Sequence, residues 1–296
     1  MKSRHNTAIF FSILAAALYA ISSPFSKLLL EKIPAAMMAS LLYLGAGIGL
    51  FIVGIIQKKT GRQQQELPLT KKEMPYTIAM VGLDIAAPIF LMIGLTMTTA
   101  ANASLLNNFE IAATSIIAFF VFKEAISKRL WLAIFLVTLA SIILSVQDIR
   151  SFSFSFGSIF VLLACVCWGF ENNCTRMLSS KNPLQIVVIK GIFSGTGSLI
   201  IALVLGERVS SILYIFAALL MGFVAYGMSI FFYIFAQREL GAAKTSAYYA
   251  IAPFIGVALS FVIFKEFPST TFILALLIMI AGTYFASSDT KASKNS

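Results

Sequence analysis

The sequence predicts an all-α membrane protein in which ten transmembrane helices form two inverted five-helix repeats. Three observations carry this reading. The 296-residue chain is 59% hydrophobic and only 11% charged, whereas an average soluble protein is roughly 25% charged. Its apolar residues fall into runs of about 17–25 residues, the length that crosses a hydrocarbon core. Short polar signatures recur at spacings that divide the chain into two similar halves. The composition excludes a disordered chain and argues against a soluble enzyme, which needs a far more polar surface. The net charge of +10 does not point to nucleic acid, because the basic residues sit in the gaps between apolar runs.

In chain order the spans are expected at 8–30, 36–56, 76–97, 101–122, 130–147, 156–178, 184–205, 211–236, 245–264 and 269–287. They must be helices, since an open strand edge in lipid leaves backbone groups unpaired. Lys2 and Arg4 followed by Ala15-Ala16-Ala17 give the first span the look of a signal peptide. It is too long for a typical apolar signal core and further spans follow, so a retained helix is expected. With both termini in the cytoplasm, sixteen Lys and Arg residues fall inside and five outside, and Lys190 falls within a span. That asymmetry fixes the orientation and suits a plasma membrane, here a bacterial inner membrane. The segment 57–75, with Gln63-Gln64-Gln65 and five basic residues, is the largest cytoplasmic loop and reads as solvated surface.

Phe122-Lys123-Glu124 closes span 4, and Phe264-Lys265-Glu266 closes span 9, 142 residues later. Ala101-Asn102-Ala103-Ser104 and Ala243-Lys244-Thr245-Ser246 precede them at the same offset. Gly45 and Gly49 in span 2 answer Gly191 and Gly195 in span 7, while Tyr19 and Lys27 answer Trp168 and Arg176 at an offset of 149. Five spans per unit is an odd number, so the second unit enters from the opposite side, an architecture favoured by secondary transporters. The expected repeats are 8–147, which includes the basic loop, and 156–287.

With these signatures the chain resembles the EamA branch of the drug/metabolite transporter (DMT) superfamily over about residues 8–287. The resemblance implies a ten-helix inverted-repeat permease. It also implies a central cavity lined by helices 1, 3, 4, 6, 8 and 9, and export of small metabolites or amino acids.

A charge at the bilayer centre costs roughly 2.5–3.5 kcal/mol on insertion scales, so each one needs a reason. Asp84, Glu110, Glu171 and Lys190 stand well inside spans, whereas Lys27 and Arg176 lie near span ends and are expected to snorkel. Glu110, Glu171 and Asp84 have two readings: substrate binding or proton coupling, and structural pairing. Lys190 reads first as a structural partner, for example of Glu171 on an adjacent helix. Helical spacing adds polar stripes. Trp168, Glu171, Asn172 and Thr175 share one face of span 6, and Tyr19, Ser22, Ser23 and Ser26 share one face of span 1. Ser104, Asn107, Glu110 and Thr114 mark span 4. Tyr226, Ser229, Tyr233 and Gln237 mark span 8, and Ser246, Tyr249 and Pro253 mark span 9. Together they favour a cavity over isolated helix–helix hydrogen bonds. Tyr19, Trp168, Tyr226, Tyr248 and Tyr249 supply rings suited to an aromatic or cationic substrate, packing being the alternative. Pro24, Pro88 and Pro253 are bending points or static kinks. The glycine pairs are expected to serve packing within the chain before any homodimer.

Cys165 and Cys167 point to different faces of a helix, so with Cys174 they read as packing residues. His5 is the only histidine, which removes histidine-based metal sites and Ser-His-Asp catalysis. No phosphate-binding G-x-x-x-x-G-K-[ST] loop is present. No catalytic residues, cofactor or metal are therefore expected, and the chain reads as a non-enzyme. The expected activity is secondary transport of a small-molecule substrate across the lipid bilayer, with protons as a candidate coupling ion. A channel-like facilitator and a nucleotide-sugar-type exchanger are the alternatives, and an intramembrane lipid enzyme ranks far below them.

Overall fold

The computed structural model describes residues 2–60, 67–123, 126–148, 153–178, 181–240, 248–265 and 267–289. The glutamine run, Glu124, Glu266 and the 243–246 signature, Ser246 included, lie outside them. The side chain of Gln237 also lies outside.

The chain begins with α1 (Lys2–Ala20), α2 (Ser22–Leu29) and α3 (Ala35–Lys59), followed by a 3-10 turn (Lys71–Glu73) and α4 (Met74–Met97). Next come α5 (Ala100–Leu106), α6 (Phe109–Phe120), α7 (Lys128–Ser145) and α8 (Phe156–Leu178). Helix α9 (Pro183–Ile189) runs through a π-helical segment (Lys190–Ser194) into α10 (Gly195–Val204). In the same way α11 (Ile212–Met221) runs through Gly222–Met228 into α12 (Ser229–Leu240). Helices α13 (Ala252–Phe264) and α14 (Thr270–Asp289) follow. Among the described residues, eight continuous helical stretches are long and apolar enough to cross a membrane, and Ala252–Phe264 and Thr270–Ala286 are shorter apolar helices.

Starts and stops follow local chemistry. Thr99 accepts the Asn102 N–H, Ser127 the Leu130 N–H, and Asn182 the Gln185 N–H, each covering an otherwise unpaired donor in a first turn. Helix α3 is capped from a distance: the Glu207 carboxylate accepts the Met37 N–H at 2.7 Å and the Ala36 N–H at 3.4 Å.

Five details differ from the sequence reading. Span 1 is interrupted at Ile21 and span 4 at Asn107 and Asn108. Pro24 removes the N–H that the Ala20 carbonyl needs for a continuous helix. The last described helix of span 9 starts at Ala252, with Pro253 in its first turn where a missing N–H costs nothing. Span 5 ends at Ser145, where Val146–Asp148 (β1) pairs antiparallel with Ser153–Phe154 (β2), so a small ribbon joins α7 to α8. Lys27 does not simply snorkel. Its ammonium donates to the Leu95 carbonyl and, at 2.9 Å, to the Thr98 carbonyl, capping the end of α4.

Glycines set the tightest crossings. A Cβ on Gly47 would lie 2.6 Å from the Ile192 nitrogen, and Gly45 and Gly195 likewise face the Leu219 backbone and Leu44. Gly45 and Gly195 are used within the chain, as expected, and Gly47 joins them. Helix α4 lies along α8, α1 along α12, and α7 along α14. The core formed on α3, α4 and α8 surrounds buried polar groups, and long apolar side chains such as Val204, Ile212 and Phe216 point outward.

Candidate functional site

The residues singled out from the sequence form two connected groups. In the first, the Lys190 ammonium lies 3.2 Å from Asp84 Oδ2 and 3.0 Å from Glu171 Oε2. Asp84 is 0% and Glu171 2% exposed, so the ions are held by one another and by neighbours rather than by water. The expected Lys190–Glu171 pair is present, and Asp84 joins it as a second carboxylate. Lys190 starts the π segment, Asp84 sits in the middle of α4, and Glu171 shares a face of α8 with Trp168 and Thr175. The Thr175 hydroxyl donates to Glu171, and the Tyr43 hydroxyl donates to Asp84 Oδ1 at 2.9 Å. Trp168 Nε1 donates to the Tyr43 hydroxyl oxygen at 3.3 Å. A buried ion cluster whose remaining atoms are hydrogen-bonded avoids much of the penalty of unpaired charge.

Nothing in the sequence marks Tyr43 for this role. A single tyrosine in a glycine-rich helix reads as packing. Its signal is positional: Tyr43 and Gly47 are one turn apart on the face of α3 against Gly191, the neighbour of Lys190. Pro88 adds a backbone feature, since its missing N–H leaves the Asp84 carbonyl without its usual partner four residues on. Helix α4 remains continuous through it.

The second group centres on Glu110 in α6. Asn172 Nδ2 donates to Glu110 Oε1 at 2.6 Å and reaches Thr114 Oγ1 at 3.4 Å, so the polar stripes of spans 4 and 6 meet directly. Asn107, one turn before Glu110, is 8% exposed at the α5–α6 break. Tyrosines connect the groups. The ring of Tyr226 is 5.5 Å from Tyr43 and 5.8 Å from Tyr19. Tyr249 is 5.9 Å from Tyr19 and 5.0 Å from Tyr233. Ser22 donates to the Tyr226 hydroxyl at 3.2 Å. Tyr248 stands apart at 37% exposed. Cys165 directs its sulfur at the Leu106 carbonyl, 3.6 Å away. Among the described residues no three His, Cys, Asp or Glu side chains gather where they could hold a metal ion.

Apolar helices of membrane length around buried charges and rings fit a multi-pass membrane protein. The chain belongs to the EamA-like transporter family, whose sequence profile matches residues 6–146 and 155–288. An uncharacterized transporter of Methanothermobacter thermautotrophicus is 25% identical over 293 residues, covering 93% of this chain and 84% of that protein. The uncharacterized transporter YyaM of Bacillus subtilis is 23% identical over 205 residues, 66% of this chain and 67% of its own. A solved crystal structure, 14% identical, superposes with a TM-score of 0.68 over 97% of this chain and 98% of its own, a likeness of fold.

Proposed function

We propose that the protein is a secondary transporter, not an enzyme, that exports small metabolites, amino acids or drug-like compounds by alternating access. The observation that carries this reading is the Asp84–Lys190–Glu171 cluster. It ties α4 of the first proposed repeat, 8–147, to α8 and the π segment of the second, 156–287. Further support comes from packing. Exchanging each proposed span for its repeat counterpart turns the α4–α8 contact into the α1–α12 contact, and α6–α8 into α1–α13. Lys123 (φ 58°) and Lys265 (φ 54°), at matched span ends, both adopt left-handed backbone. The proposal includes ten spans in an inverted repeat, in a bacterial inner membrane, and the Lys and Arg asymmetry supports placing both termini in the cytoplasm.

Proton coupling is part of the proposal, because Glu110, Glu171 and Asp84 are carboxyl groups in a shielded site between the repeats. The test is reconstitution: solute counterflow and pH-gradient dependence in proteoliposomes. Saturable counterflow is expected and would set the protein apart from a channel-like facilitator. Flux that never saturates and shows no counterflow would overturn the transporter reading, and indifference to a pH gradient would remove protons from it.

A further inference from the structure

Where spans 1 and 4 are interrupted and α13 begins, the chain leaves a small recess beside the Glu110 group and away from the Lys190 cluster. Tyr19 and Ala20 line it from α1, Ser104 and Asn107 from α5 and its end, and Pro253 and Gly256 from α13. The buried lining atoms that lack a hydrogen-bond partner are oxygens. Ser104 Oγ and Asn107 Oδ1 are buried with no hydrogen-bond partner, on residues 3% and 8% exposed. The Ala20 carbonyl faces a Pro four residues on and so lacks its helical donor. Ala20 O and Ser104 Oγ flank one point: a Cβ on Gly256 would stand 3.2 Å from the first and 2.9 Å from the second. Buried acceptors without donors are costly unless a ligand satisfies them.

The surroundings specify the ligand's charge. Tyr19 lines the recess, its ring neighbours are Tyr226 and Tyr249, and Glu110 lies one turn beyond Asn107. Lys190 is engaged by two carboxylates and Lys27 by backbone carbonyls. An ammonium group brings three N–H donors and a charge that aromatic faces and a carboxylate attract. A carboxylate or phosphate would leave the Ala20 carbonyl and Asn107 Oδ1 facing further acceptors, with the Glu110 carboxyl one turn away.

Resting on the transporter reading, we propose that the recess binds a protonated primary amine, so that the substrates are alkylammonium compounds. The test is thermal stabilisation of the purified full-length chain. The probes are methylammonium and phenethylammonium chloride, 2-phenylethanol, 3-phenylpropanoate, and sodium chloride at matched ionic strength. Saturable stabilisation by the ammonium probes alone is expected. Ser104→Ala and Gly256→Ala, each first checked for wild-type monodispersity and unliganded melting temperature, should raise the half-saturating concentration at least about tenfold; two variants guard against one failing to fold. The proposal is overturned if no probe stabilises, or if the alcohol or carboxylate does so equally. It is also overturned if sodium alone does so, or if the ammonium effect survives both variants. Counterflow of other solutes with no ammonium effect would sink this inference and leave the transporter reading standing. An ammonium effect without transport would do the reverse.

Discussion

Replacing Lys190 by Met removes the one cation that two buried carboxylates share. At the observed separations of 3.2 and 3.0 Å, Coulomb's law with an effective dielectric constant of about 20 gives about 5 kcal/mol of attraction per pair. Desolvation of three ions offsets most of that sum, and breaking a buried pair by removing one partner typically costs about 3–5 kcal/mol. Lys190→Met is therefore expected to destabilise the folded protein by about 3–5 kcal/mol. The penalty arises from stranded charge rather than lost packing, so the triple variant Asp84→Asn, Glu171→Gln, Lys190→Met should recover most of it. Reversible unfolding in mixed micelles, monitored by tryptophan fluorescence and circular dichroism, measures both. Two results refute the reasoning: a single variant within about 1 kcal/mol of wild type, or a triple variant no more stable than the single.

Glu110→Gln and Glu171→Gln are each expected to impair transport while leaving folded protein in the membrane; wild-type initial rates in both would remove these carboxyls from the mechanism. Tyr43→Phe should cost about 1–3 kcal/mol, because it leaves the Trp168 N–H and Asp84 Oδ1 short of partners; a change below about 0.5 kcal/mol in the same unfolding assay contradicts that role. Gly47→Ala sets a Cβ 2.6 Å from the Ile192 nitrogen, an overpacking expected to cost about 1–3 kcal/mol, and unchanged unfolding would show that the crossing can spread. Glu207→Gln weakens the cap on α3, with an expected loss of about 0.5–2 kcal/mol and faster hydrogen exchange at the Ala36 and Met37 amides; unaltered exchange rates would show that the cap does not depend on the charge.

The helices were legible because a bilayer admits few alternatives, and so was the identity of the buried charges, because each is expensive. Which charges meet was only half legible. Lys190 and Glu171 could be matched from their depth, but Asp84 reaches the same ammonium because of how α4 lies along α8, and that angle is set by contacts such as Gly94 against Val161. Tyr43 was invisible because its importance comes from the close approach of Gly47 and Gly191, a tertiary fact. The breaks at Ile21 and Asn107-Asn108 were partly written in Pro24 and in two adjacent asparagines. No hydrophobic count sees a break that leaves both flanking segments apolar. Lys27 departs from the snorkelling expectation for a related reason: its apolar stem allows it to reach water, yet the carbonyl end of α4 offers a nearer partner.

The wide turn that begins at Lys190 gives the ion cluster a rotational setting. A π segment accommodates one residue more than α geometry does, and one residue of α-helix corresponds to about 100° around the axis. Rewinding 190–194 into α form would turn α9 against α10 by about that angle and swing the ammonium away from its carboxylates. The second wide turn, at 222–228, holds Tyr226 in the same manner. Both side chains thus sit on pivots, with azimuths fixed by local winding, so a single-residue deletion in either turn would rotate the site and leave the helix count untouched.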